Sequence, residues 1–410
     1  MKVKEFATVV SGATPSSKCP EYYDGDIVWF TPKDLSDQGT KHVSHCENYI
    51  TKAGFDSCST TMLPAGSVLM SSRAPIGLLA IADVPCCTNQ GFKSFDIDRS
   101  KCDPEYLYYY LKLHIKEVEL LGSGTTFKEV SKESVENYDV ALPDLNVQHH
   151  IISILRDIDT IIANNNAICS NLEAMAKLLY DYWFVQFDFP DENGKPYKSS
   201  GGKMVWNDEL KREIPAGWEV KPLSDLCSFM NGINYDKNEV GNKKYRIVNV
   251  RNITASSLLL DDSDFDEIVL KSSQADRYLI ADNDILIARS GTPGATRLLL
   301  NNDGNTIFCG FIIRCAPNDA ALRYYLTYVL KRLEGTTATK TGGSILQNVS
   351  QDTLGRVIVI VPNGTITDSF TKRIECLHSL MQNAMVENQQ LTSLRDFLLP
   401  MLMNGQVKVG

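Results

Sequence analysis

Glycine, threonine and lysine gathered in a short loop can cradle a phosphate, and this chain carries two such loops. Gly122–Ser131 reads GSGTTFKEVS and Thr341–Ser350 reads TGGSILQNVS. Neither ends in the Gly-Lys-Ser/Thr that sets a lysine and a hydroxyl on nucleotide phosphates, and GTTATKTGGS lacks it as well. His42, His45 and Cys46 form the one metal-like cluster. Structural zinc usually takes four ligands in recognisable pairs, so the three read as a polar loop with no metal. There is no HExxH, no GxSxG and no GxGxxG at a strand–helix junction. The base-methylating signatures Asn-Pro-Pro-Tyr and Asp-Pro-Pro-Tyr are missing too. PDENGK at Pro190–Lys195 does not have the spacing of nuclease carboxylates, and His149–His150 open a helical pattern where exposure is the default. The chain therefore reads as a recognition or assembly protein rather than an enzyme.

Composition narrows the class. Of 410 residues, 43% are hydrophobic and 22% charged, as in globular proteins, and the length implies two or three domains. Eleven cysteines without a C-x-x-C pair fit reduced thiols in a cytoplasm. No apolar run approaches bilayer-spanning length, and MKVKEFATVV has no apolar core of a secretion signal, so no membrane contact is expected. Net charge is −9; residues 1–145 hold 14 Lys/Arg against 20 Asp/Glu, and 216–365 hold 16 of each. A protein gripping DNA alone presents a basic surplus, so either DNA is not bound or a partner supplies much of the phosphate contact.

The two loops belong to a tandem repeat. Tyr106–Lys112 (YLYYYLK) precedes the first loop and Tyr325–Lys331 (YLTYVLK) the second, 219 positions on. Trp29–Leu35 matches Ile247–Ile253, placing Lys33 over Arg251 and Asp34 over Asn252. Val68–Gly77 matches Ile285–Gly294, and Gln90–Phe92 matches Cys309–Phe311. Each copy opens with short β-branched runs broken by Gly, Pro, Asp and Asn, then passes into a long helical pattern. From Val147 to about Phe184 no Pro or Gly intervenes. Alternating steps of three and four mark Leu155, Ile158, Ile162, Asn165, Cys169, Leu172, Ala176 and Leu179. Adding 222 gives Leu377, Leu380, Ala384, Glu387, Leu391, Leu394, Leu398 and Met401. This is a coiled-coil seam with one polar residue at the same step of each copy; the competing reading is two amphipathic helices docked on separate cores. Asn165 and Glu387 either pair or face solvent. Residues 188–215, rich in Pro, Gly, Ser and charge, connect the copies, with a short helical turn over Asn207–Ile214.

A strand-rich domain, a Gly-Ser/Thr loop, a Leu-Pro and a long helix, all twice over, resemble the specificity subunits of Type I restriction–modification systems. The resemblance spans the chain. It rests on GSGTTFKEVS, QHHIISILRDID and NNNAICSNLEAMAKLLYDYWF, on the connector GKPYKSSGGKMVWNDELKREIPAGWEV, and on LTSLRDFLLPMLMNGQV. The first copy departs from the pattern by lacking the Pro-x-Gly-Trp lead-in of PAGWEVKPLSDL. The resemblance implies an α+β fold: two tandem, pseudo-equivalent strand-rich α/β target-recognition domains (1–145 and 216–365), separated by two long antiparallel coiled-coil helices (146–187 and 366–404). It further implies a non-catalytic reader of a split, asymmetric site on double-stranded DNA. Two methyltransferase (M) subunits and two restriction–motor (R) subunits would be its partners. S-adenosylmethionine, ATP and Mg would be bound by those partners, with no cofactor in this chain. The alternatives are a coiled-coil scaffold without DNA specificity and a stand-alone DNA-modifying enzyme.

Arg commonly reads guanine and Asn or Gln adenine. The candidates for DNA contact are Ser72 and Arg73 in the turn after the first VLM strand, and Arg289, Ser290 and Thr292 in its counterpart. Lys33 and Arg251, with Asn252 beside the latter, stand at equivalent strand ends. In the Gly-rich loops Thr125, Thr126 and Lys128 match Ser344, Ile345 and Gln347. Small residues let backbone N–H groups approach phosphate, so phosphate contact is expected of those loops.

Overall fold

The computed structural model describes residues 1–73, 75–123, 128–236, 241–334 and 349–407. The chain divides into two compact units, residues 1–161 with 391–410, and residues 162–390. Each takes one strand-rich domain and a stretch of both long helices.

In the first unit the strands are β1 (Ala7–Ser11), β2 (Tyr23–Phe30), β3 (His42–Val43), β4 (Tyr49–Ile50), β5 (Val68–Ser72), β6 (Ile76–Ala82), β7 (Cys87–Thr88) and β8 (Lys93–Ile97). They form one sheet in the order β1-β8-β5-β6-β3 and a second in the order β4-β2-β7. Every residue of β5 is buried, which is why it reads as a continuous run rather than an alternating one. Helices α1 (Pro32–Gln38), α2 (Lys52–Asp56), α3 (Pro104–Leu113), α4 (Ile115–Leu120) and α5 (Lys132–Glu136) follow or interrupt the strands. Long helix α6 then begins at Leu145 and runs to Tyr180.

In the second unit a π-helical turn, Asp181–Val185, ends α6. The connector follows, carrying β9 (Met204–Asn207) and β10 (Arg212–Pro215), which pair antiparallel. This corrects the helical turn expected over Asn207–Ile214: Asn207 pairs with Arg212, and the turn over 208–211 closes a hairpin instead. Next come β11 (Glu219–Pro222), α7 (Leu223–Leu226), β12 (Cys227–Asn231), β13 (Lys243–Val248), α8 (Val250–Ala255), β14 (Asp266–Leu270), α9 (Ser272–Ala275) and β15 (Ile285–Ala288). They lead to β16 (Thr296–Arg297), β17 (Thr306–Phe308), β18 (Ile312–Pro317), α10 (Arg323–Leu333), α11 (Gln351–Gly355), β19 (Ile358–Val361) and long helix α12 (Gly364–Met403).

The second domain repeats the strand order of the first, with an isolated Leu259–Leu298 bridge where β3 pairs with β6. Sheet β12-β18-β15-β16 answers to β1-β8-β5-β6, and β14-β13-β17 to β4-β2-β7. Val68 faces Phe95 where Ile285 faces Cys315, and Trp29 faces Cys87 where Ile247 faces Ile307. A glycine at positive φ stands at each turn, Gly77 at 93° as the second residue of β6 and Gly294 at 86° shortly before β16, a conformation that disfavours a side chain. Helices α5 and α11 are capped alike: Ser131 accepts from the Ser134 amide, and Ser350 from the Thr353 amide. Such a cap contributes about 1 kcal/mol.

One match shifts by a residue. Phe92 bridges Ser71, whereas Ile312, not Phe311, faces Ala288. Ile312 therefore takes the place of Phe92. Phe92 is wholly buried, and Phe311 is 61% exposed.

The two long helices pack against each other in antiparallel sense. Within the second unit Asn165 meets Glu387 and Asn388, and Cys169 meets the Met381 carbonyl. Within the first, Ile151, Ile152 and Leu155 share a core with Leu399, Leu402 and Met403. On α6, Leu155, Ile158, Asn165 and Ala176 are buried, and Ile162, Leu172 and Leu179 half-buried. On α12 the stripe differs from the expected one. Leu377, Leu391 and Leu398 are half-buried, but Leu380 and Leu394 are 50% and 45% exposed and Glu387 lies outside. The inward positions are His378, Met381, Asn388, Arg395, Leu399 and Leu402, 223 residues beyond their α6 counterparts. One residue is a rotation of about 100° on a helix, enough to turn a leucine from seam to solvent. Asn388, not Glu387, is thus the counterpart of Asn165. Asn165 Nδ2 donates to Asn388 Oδ1 at 3.0 Å and to Glu387 Oε2 at 2.9 Å, and Asn388 Nδ2 donates to Asn166 Oδ1 at 2.9 Å.

Each domain is fastened to the helices by its own chemistry. In the first unit Lys41 bridges Glu105 of α3 (2.9 Å) and Asp159 of α6 (2.7 Å), and Arg395 of α12 reaches Asp159 at 3.1 Å. The cations hold both carboxyls below their usual range despite burial, which acts the other way. In the second unit aromatic rings do most of this work. Phe184 lies 4.8 Å from Tyr325 and 4.9 Å from Phe370, with Tyr180 and Trp218 alongside.

Candidate nucleic-acid interface

The turn after β5 and the end of the Gly-rich loop meet in the first domain. The Val130 amide donates to the Ser72 carbonyl at 3.0 Å, and Arg73 bridges Glu129 through its backbone. Ser72 itself is wholly buried, its hydroxyl facing the Lys93 ammonium at 3.4 Å, so its side chain belongs to the interior. Lys93 is buried too and pairs with Glu129 at 3.2 Å. Arg73 is half-buried, and among the described residues its guanidinium has no carboxylate or carbonyl partner. Lys128 is exposed and shares a shallow recess with Ile76, Lys116, Glu119 and Leu120. Three cations without an ion pair among the described residues, Arg73, Lys116 and Lys128, therefore collect on one edge of a domain whose net charge is negative. Lys116 had no signal in the sequence; it sits in IKEVEL, an ordinary short amphipathic helix. Thr125 and Thr126 lie outside the described residues.

In the second domain the corresponding turn carries Arg289. Its amide donates to the Phe311 carbonyl at 2.9 Å, its carbonyl accepts from Val349, and its Nη1 donates to the Gly310 carbonyl at 3.1 Å. Among the described residues its Nε is buried without a partner. Ser290 is half-buried, Thr292 exposed, and exposed Phe311 adjoins them through the Arg289 backbone. Phe311 was not among the sequence candidates, since aligning Cys309–Phe311 with Gln90–Phe92 gives no sign of which ring is exposed. Gln347, with Ser344 and Ile345, lies outside the described residues.

Lys33 and Arg251 do not stand at strand ends as expected. Both fall in the first turn of a helix, α1 and α8, because Thr31 and Asn249 cap the chain into helix directly after the strand. Lys33 pairs with Glu47 at 2.7 Å; Arg251 is held by Asp264 at 2.6 Å and Asp266 at 2.8 Å. Asn252 is buried and spent on the fold: it accepts from the Asn249 amide at 2.8 Å and donates to the Asp264 carbonyl at 3.1 Å. Asp34 does the same in the first copy, accepting from the Thr31 and Glu47 amides. His42 and Cys46 also have other business. His42 faces Asp83 at 2.8 Å, Cys46 accepts from the Trp29 amide, and among the described residues no cluster of three metal-ligating side chains occurs.

Two strand-rich domains of one design, displaying different side chains from equivalent turns and seated on one pair of antiparallel helices, define a duplicated recognition module. The family model for the Type I restriction modification DNA specificity domain matches residues 1–174. The Type I restriction enzyme MjaIX specificity subunit of Methanocaldococcus jannaschii is 31% identical over all of this chain and 93% of its own length. The HindI specificity subunit of Haemophilus influenzae is 24% identical over 74% of this chain and 77% of its own. Among solved structures, the Type I restriction–modification S subunit from M. genitalium superposes over 98% of this chain and 95% of its own, with a TM-score of 0.53 at 15% identity. The chain belongs to the specificity subunits of Type I restriction–modification systems. It is the DNA specificity component and is not itself catalytic. Among the described residues no helix is long and apolar enough to cross a membrane.

Proposed function

We propose that this subunit reads a split, asymmetric site on double-stranded DNA, with residues 1–145 on one half and 216–365 on the other. Helices 146–187 and 366–404 set the spacing, and residues 188–215 join the copies. The observation that carries the reading is the repeated strand order with unlike turns. Equal scaffolds present equal loops to DNA, while Arg73 against Ser290, and exposed Phe311 where the first copy has Gly91, give the halves different sequences to prefer.

Duplication also suits duplicated partners. Two M subunits, using S-adenosylmethionine to methylate adenine, dock on pseudo-equivalent faces, and two R subunits using ATP and Mg complete the restriction complex. An exposed apolar groove of about 590 Å³ on the helix pair, lined by Met175, Leu178, Tyr182 and Leu377, suits such docking. The partners then supply most of the basic surface that this acidic chain lacks. The test is to map methylated adenines in DNA from cells carrying the protein with its modification partner. A bipartite motif with unlike halves and a fixed gap is expected. A single uninterrupted motif, or methylation without sequence preference, overturns the reading.

A further inference from the structure

In each domain the turn after β5 or β15 is pinned to a second loop, the one joining β7 to β8 or β17 to β18. The Ser72 amide donates to the Gly91 carbonyl at 2.7 Å, and the Arg289 amide to the Phe311 carbonyl at 2.9 Å. The segment leaving β1 or β12 packs on that loop. The Ala13 amide donates to the Thr88 carbonyl and the Ile233 amide to the Phe308 carbonyl, both at 3.0 Å. A glycine stands at each crossing, because a Cβ on Gly12 would collide with the Thr88 carbonyl and one on Gly232 with that of Phe308. These matched bonds set Thr14, Gln90 and Gly91 of the first copy against Asn234, Gly310 and Phe311 of the second.

The backbones agree and the side chains do not. In the first copy Thr14 and Gln90 are both exposed, and the Thr14 hydroxyl donates to Gln90 Oε1. In the second, glycine replaces that glutamine, and the Asn234 side chain lies where a Cβ on Gly310 would fall. Asn234 is exposed, and among the described residues no hydrogen bond engages its amide. The residue after Gly310 is Phe311, 61% exposed. The turn does not need its ring, since Gly91 holds the same backbone bond without one. The second domain thus carries an unengaged amide and an exposed aromatic residue on one fixed piece of backbone. The Gly310 amide donates to the Ile233 carbonyl at 2.7 Å, and the Gly310 carbonyl accepts from Arg289 Nη1 at 3.1 Å.

An amide beside an apolar ring matches one kind of base pair. In the major groove adenine offers N7 as acceptor and N6 as donor, which an asparagine amide meets with both its groups. The paired thymine offers a methyl group, which an apolar side chain covers. Guanine presents two acceptors and cytosine has no methyl, so a G·C pair meets neither requirement.

We propose that Asn234 and Phe311 are specificity-determining residues of the second domain, reading adenine and thymine of one or adjacent base pairs in its half-site. Asn234 bonds the adenine edge, and Phe311 packs on the thymine methyl. The inference rests on the split-site reading above and names the base chemistry that one half prefers.

The test uses the full chain assembled with its modification partner. Methylated adenines are mapped for the wild type, Asn234→Ala and Phe311→Ala. Both variants are expected to keep a bipartite motif and to relax the same half at an A·T position, with the other half and the gap unchanged. Binding is then measured on DNA in which each thymine of that half is replaced, one at a time, by uracil, which lacks only the methyl. One replacement is expected to weaken the wild type by about fourfold, the worth of one buried methyl, and to leave Phe311→Ala indifferent. Asn234→Ala is expected to lose about tenfold in discrimination against guanine at the adenine position. A bipartite motif that neither variant alters overturns the inference and leaves the split-site reading standing. Relaxation of both halves, which marks a defect of folding, overturns it likewise. So does a Phe311→Ala loss indifferent to the thymine methyl, the mark of a ring wedged between bases. A wild type without a bipartite motif overturns the inference and the reading together.

Discussion

A cation is available to DNA only if the fold has not already engaged it. Lys33 and Arg251 are engaged, by Glu47 and by Asp264 with Asp266; among the described residues Arg73 and Lys128 are not. Arg73→Ala and Lys128→Ala, each in the assembled methyltransferase, are expected to weaken DNA binding. Removing one cation from a phosphate lowers the slope of log K against log salt by about one. Arg251→Ala should leave both affinity and slope near wild type. Binding isotherms across a salt series decide this, and an Arg251→Ala defect as large as that of Arg73→Ala contradicts it. The sequence picked out Arg73, Lys128 and Arg251 alike, since residue type and turn position do not reveal a partner 13 or 15 residues away. Asn252 shows the same limit: as a helix-capping side chain its amide is committed at both ends.

At the scale of the element, both long helices were legible as uninterrupted apolar periodicity, and the repeat fixed where each would fall. The facing stripe of α12 was not. Leucines at Leu380 and Leu394 drew the expected seam one residue off, while His378, Asn388 and Arg395 occupy inward positions and find polar partners there. Period alone cannot separate these stripes, because the choice turns on pairs made across the interface. The Asn165–Asn388 contact carries a testable consequence. Asn165→Leu or Asn388→Leu singly removes the amide–amide hydrogen bond while the survivor keeps Glu387 or Asn166 as a partner, and should cost about 1 kcal/mol. The double variant should cost clearly less than the two singles summed. Urea unfolding of the four proteins measures this, and strict additivity would show that the two amides do not depend on one another.

For the whole molecule, the tandem repeat was the most readable feature, because equivalent glycines, serine caps and strand runs recur at nearly constant separation. Its finer register was less so: offsets of 217 along β5 and 220 along β8 place Ile312 where Phe92 stands, and send Phe311 to the surface. Small loop insertions shift such matches without disturbing the ladders. The central claim is that two scaffolds of one design read two unlike half-sites independently. Its most direct test is to exchange residues 1–145 for the corresponding domain of another specificity subunit and map methylated adenines in cells carrying the chimaera with its modification partner. The account predicts a motif changed in one half only, with the other half and the spacer retained. A change in both halves, or in neither, contradicts it.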